Sequence, residues 1–158
     1  MSLLAFFEWL QYSPLLVAMR SSPWLFPMIA SAHLLGLAML GGAVLVVDLR
    51  LLGFGLTRRP VAEIGREAEP WLLASLLIML PTGLLLFMCF ATKYYYLTTF
   101  WVKVAVALLA LTFTFSVRRR VIMEDEGNTN ALSRKLVASV SLSLWATVAL
   151  AGRLIGFP

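Results

Sequence analysis

The chain has 158 residues, of which 61% are hydrophobic and 13% charged, and its mean hydropathy is +0.89. Soluble domains are closer to half apolar, and here the charges gather between four long apolar runs, the pattern of a polytopic membrane protein. The net charge of +5 is read as membrane orientation, since no nucleic-acid motif accompanies it, and the single cysteine, Cys89, excludes an internal disulfide or a Cys–Cys metal pair.

Length suits one membrane domain over 1–158. The segment Met1–Leu10 lacks a basic n-region and a small-x-small cleavage site, so it is not read as a cleaved signal. The run LLAFFEWLQYSPLLVAMRSSP is too short to span and is broken at Ser13-Pro14. It predicts one or two interfacial helices within residues 1–22.

Four spans follow, at about 23–52, 70–92, 98–117 and 136–157. Ser22 and Pro23 suit the N-cap and N1 of the first. The second opens at Pro70-Trp71 and is interrupted by Pro81-Thr82-Gly83. The third stops at Arg118-Arg119-Arg120, and EDEGNTNALS (residues 124–133) then reads as a solvated loop containing a turn. The fold class is therefore all-α, a four-transmembrane-helix bundle.

Arg58, Arg59 and Arg66 lie between spans one and two, and Arg118, Arg119, Arg120, Arg134 and Lys135 between three and four. Lys93 and Arg20 stand alone on the other side. The positive-inside rule then puts both rich loops in the cytoplasm and both termini outside, in a bacterial inner membrane. Tyr94, Tyr95, Tyr96 and Trp101 fit the outer aromatic belt.

Ionisable residues inside spans are costly and become functional candidates. His33, the only histidine, lies ~13 Å down the first helix from Trp24, and Lys103 lies ~7 Å inside the third. Arg153 comes in the last turns of the fourth span, and Thr82 and Gly83 sit near the depth of His33. No acidic residue shares that half of the membrane apart from Glu8 in the N-terminal segment. Lys103 and Arg153 have a plain alternative, snorkelling to headgroups.

His33 has two open readings: a neutral imidazole bonded to a neighbouring Ser or Thr, or a ligand. The ligand reading is a haem held through iron by His33, with Gly36 and Gly41 leaving room for the macrocycle and Lys103 and Arg153 pairing with propionates. The second axial ligand would be a Met (Met28, Met39, Met79 or Met88), a water, or His33 of another subunit. Asp48, at the inner end of span one, is expected to meet Arg118 or Arg119 rather than Arg50, two residues away. Cys89 reads as a buried hydrophobe. No P-loop, zinc spacing or Gly-x-Ser-x-Gly is present.

HLLGLAMLGGAVLVVDLRLLG, PTGLLLF, FWVKVAVALLAL and WATVALAGRLIGF resemble a family of small uncharacterised bacterial membrane proteins, over about Trp9 to Phe157. More distantly, His-x-x-Gly with a following Gly-Gly, Pro-Thr-Gly and Trp-x-Lys are similar to HemJ-type protoporphyrinogen oxidases and CopD-type copper-resistance membrane proteins. The HemJ resemblance implies functional roles for His33 and Lys103 and an association with haem b. Four functions are then carried. They are a haem-binding membrane protein in electron transfer, an oxidoreductase acting on a porphyrinogen or quinone, an accessory subunit or homo-oligomer without cofactor, and a copper or small-anion transporter. For the accessory subunit, Ser139, Ser143 and Thr147 at i, i+4 spacing suit helix–helix contact.

Overall fold

The computed structural model describes residues 3–55, 58–124 and 130–155. Most of the loop expected at 124–133, and the end of the fourth span after Ile155, lie outside the described residues.

Two short helices open the chain, α1 (Leu3–Gln11) and α2 (Pro14–Ser21). Ser13 is extended and Pro14 starts α2, so the predicted break falls between them. Each is too short to cross a bilayer. Both are fastened to the junction after the second span. Gln11 Oε1 accepts from the backbone N–H and hydroxyl of Thr92, at 3.0 and 2.7 Å. Arg20 donates to the Cys89 carbonyl at 2.9 Å and lies over the Phe90 ring. Trp9, Tyr12, Leu15 and Trp24 are left exposed, apolar and aromatic surface suited to a lipid interface.

Four long helices follow, each long and apolar enough to cross a membrane: α3 (Leu25–Leu52), α4 (Val61–Cys89), α6 (Thr98–Phe113, running on into α7, Arg119–Met123) and α8 (Ala131–Ile155). A five-residue helix, α5 (Ala91–Tyr95), joins α4 to α6. No strand occurs among the described residues. The protein is an all-α membrane protein in contact with the lipid bilayer.

Helix ends follow local chemistry. Ser22 Oγ accepts the Leu25 amide at 3.2 Å, although Trp24 and not Ser22 directly flanks the first turn of α3. At the other end Gly53 takes φ 92°, which a side chain would resist. Its amide and that of Phe54 close onto the Arg50 and Leu49 carbonyls, at 3.0 and 2.8 Å.

The second long helix differs from expectation at both prolines. It begins at Val61, well before Pro70, and runs unbroken through Pro81. Residues 61–69 are too polar to register as a span, yet they are amphipathic. Val61, Ile64 and Gly65 turn inward, where Val61 and Ile64 join Val47, Leu51, Ile122 and Ala138 in one apolar cluster. A Cβ on Gly65 would collide with Ile122 Cγ2, so α4 and α7 touch because this position is glycine.

The third span carries a π segment at Thr114–Arg118 between α6 and α7. Thr114 and Arg118 are both buried there. Arg118 Nε donates to Asp48 Oδ1 at 2.7 Å, the pairing expected for Asp48, and Nη2 reaches the Val44 carbonyl at 3.3 Å. Both side chains are almost wholly withdrawn from solvent.

Helix α3 packs along both α4 and α8, and α8 along α6. Helices α4 and α6 barely meet along their length. They are linked mainly through α5 at one end and α7 at the other. That missing contact defines the candidate site.

Candidate functional site

A lateral cleft of about 340 Å³ lies where α4 and α6 diverge. Its back wall is α3 and α8, contributing His33, Leu40 and Trp145, and its sides carry Gly83 from α4 and Lys103 from α6. The volume lies at the lower end of the range for small-molecule sites, and the lining is apolar except for a few convergent polar groups.

His33 Nδ1 lies 3.0 Å from Thr82 Oγ1. The Thr82 hydroxyl already donates to the Ile78 carbonyl at 2.6 Å, having only one proton to give. The imidazole must therefore donate from Nδ1, with the Met79 carbonyl a second acceptor beside it. In this tautomer Nε2 carries a free lone pair. An imidazole oriented through one nitrogen with the other left basic is the arrangement that metal-binding histidines use. The seryl-or-threonyl bond of the plain reading is thus present, and it leaves the ligand reading open.

Gly83 is what lets the ring lie against α4. A Cβ there would sit 3.0 Å from His33 Cε1. Lys103 depends on a different glycine: a Cβ on Gly152 would sit 3.2 Å from its Nζ. Among the described residues Lys103 has no hydrogen-bond or ion-pair partner, although it is close enough for its charge to act on His33. A half-buried ammonium with no counter-ion is costly in an apolar setting.

Aromatic rings close the α5 end of the cleft. Phe87 and Phe100 stack at 4.9 Å across the gap between α4 and α6, and Tyr94 stacks on Phe100 at 5.4 Å. Burial pushes the Tyr94 phenol above its ordinary value, so this roof stays uncharged. At the other end Trp145 Nε1 donates to Thr114 Oγ1 at 3.2 Å. The remaining opening is sideways, between the two helices.

The six residues singled out from sequence divide. His33, Thr82 and Lys103 come together here. Gly36 is buried against α4, where a Cβ would lie 2.8 Å from Met79 Cγ, so its space is already filled. Gly41 has open space around it and is exposed. Eight residues along a helix turn it about 80° from His33, which puts Leu40 and Val44 on the inner face instead. Arg153 is exposed on α8 and does not line the cleft. Sequence reading missed Gly83 as the packing glycine, and also Phe87, Phe100 and Trp145. The Pro-Thr-Gly triplet was the available signal for Gly83. Ser139, Ser143 and Thr147 face outward; the buried face of α8 is Ala138, Ser141, Val148 and Ala151.

A family model matches residues 6–158. The chain belongs to a family of unknown function (DUF6644). No curated protein and no solved structure matches it.

Proposed function

We propose that the protein binds haem b in the lateral cleft, with His33 Nε2 as the iron ligand and Lys103 paired with a propionate. One observation carries the reading: an imidazole held through Nδ1 by Thr82 and an ammonium with no partner among the described residues line the same apolar cleft. The cleft is open between α4 and α6, so a macrocycle is not confined to the enclosed volume.

The donor set favours a porphyrin over a bare ion. Among the described residues no group of three or more His, Cys, Asp or Glu side chains converges. A copper ion in the cleft would find the imidazole of His33 and at most the thioether of Met79, whereas a porphyrin brings four nitrogens of its own and needs only an axial imidazole. When bound, haem b supplies a one-electron couple, which suits electron transfer. The chain's part is to hold the imidazole in the donor-at-Nδ1 tautomer through Thr82, to neutralise a carboxylate with Lys103, and to keep water out with the Phe87–Phe100 roof. Lys103 would serve a porphyrinogen's carboxylates equally well, the oxidoreductase version of the same site. A bacterial inner membrane with both termini outside is part of this proposal and places the cleft in the outer half.

The test is an absorbance spectrum of detergent-purified protein expressed with haem supplied. A Soret band is expected, lost in His33→Ala and weakened about tenfold in affinity in Lys103→Leu. A wild-type protein without a Soret band ends the haem reading, and full retention of haem by His33→Ala ends the assignment of the ligand.

A further inference from the structure

A buried polar site lies where the third span meets the first, away from the His33 cleft. Asp48 on α3 is wholly buried and its carboxylate is only half used. Oδ1 accepts from Arg118 at 2.7 Å, whereas Oδ2 has no hydrogen-bond partner. Ser141 on α8 is buried close enough to act on that carboxyl, yet its Oγ makes no hydrogen bond either. Two such atoms in one interior call for a proton, a water or an ion. An ion is disfavoured, because a cation would meet the Arg118 guanidinium and an anion the Asp48 carboxylate.

Arg118 also borders a cavity of about 40 Å³ between α3, α4 and the third span. At about 10–15 Å³ each, two or three waters fit. Thr114 and Arg118 reach it from the π segment, a helical departure frequent at functional sites. Its exposed rim carries Glu69 and Arg119, paired with each other at 3.2 Å. Toward the His33 cleft, Thr114 Oγ1 is bound by the Trp145 indole, which donates and cannot accept, so that bond passes no proton on. Other charges stand apart. Arg50, two residues along α3, points elsewhere and donates to the Arg59 carbonyl, and Arg134 and Lys135 on α8 border a different pocket.

We propose that Asp48 is a proton-binding site that exchanges with water in this cavity. Uptake forms an O–H bond on Oδ2, and the hydronium that gives the proton becomes water. The Ser141 hydroxyl is the hydrogen-bond partner of the protonated group. Arg118, released from a charged partner, keeps the Val44 carbonyl and gains cavity water as an acceptor. The pair passes from neutral to singly positive, so the tie between the first and third spans loosens as the proton binds. The site does not depend on what occupies the His33 cleft.

Infrared difference spectroscopy of the purified protein across a pH series tests this, with circular dichroism at each pH to follow folding. A narrow carboxylic-acid C=O band of a buried group is expected while the protein is still folded. It should be absent in Asp48→Asn and kept in full by Glu69→Gln at the rim. In Ser141→Ala the band should shift in frequency, because the acid has lost its hydrogen-bond partner. Were Asp48→Asn not to fold, that shift would still assign the band. The proposal is overturned if Asp48 stays ionised until the protein unfolds and no such band appears. It is equally overturned if Asp48→Asn retains the band, if Glu69→Gln removes it, or if Ser141→Ala leaves it unmoved.

Discussion

A hydroxyl has one proton, and in Thr82 that proton is spent on a backbone carbonyl. Everything inferred about His33 follows from this. Thr82→Val removes the acceptor at Nδ1 and should weaken haem binding by about 10- to 100-fold, the usual effect of losing a ligand-orienting partner, while leaving the fold intact. Titration of the purified variant with haem measures it. Lys103 makes the opposite kind of prediction. Lys103→Leu removes an ammonium that has no partner among the described residues, so the ligand-free protein should gain roughly 1 kcal/mol or more in stability while losing affinity. Denaturation in detergent with and without ligand separates the two effects, and a loss of stability in the ligand-free variant would show that Lys103 is structural.

At the scale of elements, the π segment and the buried Asp48–Arg118 pair tie the third span to the first. Asp48 Oδ2 and Ser141 Oγ lie buried beside that pair. Breaking such a pair strands a charge. Arg118→Leu or Asp48→Leu alone should cost about 3–5 kcal/mol, whereas the double variant Asp48→Leu/Arg118→Met should recover most of it. Thermal unfolding of the three variants checks this, and equal losses in the single and double variants would contradict it. The Asp48 partner was legible because an acid ends the first span and a basic run ends the third at one depth. The start of α4 was not. Hydropathy reads residues 61–69 as loop, and only the packing of Val61 and Ile64 on Val47, Leu51 and Ile122 makes them helix. Pro70 and Pro81 were expected to open and interrupt that span, but neighbouring helices let a membrane helix carry proline in its interior.

For the whole molecule, the divergence of α4 and α6 is the decisive feature. A bulky residue on the α6 wall should fill the cleft without disturbing the α3–α4 and α6–α8 contacts. Ala107→Trp is therefore expected to lower ligand occupancy sharply with little change in melting temperature. Orientation is tested by a reporter fused after Pro158, with alkaline phosphatase active and green fluorescent protein dark if that terminus is outside.

The sequence alone determined the class of molecule: four apolar stretches of bilayer length, a break at Ser13-Pro14, and an imidazole and an ammonium at overlapping depth. These are local properties of composition and rise per residue. Tertiary structure decided which polar groups meet. Helical period says which residues share a face, but not which neighbour that face finds, so Gly41 and Arg153 looked as suitable as Gly83 and Lys103. The packing of α3 against α4 filled the space at Gly36, and the divergence of α4 from α6 left the space at His33 open.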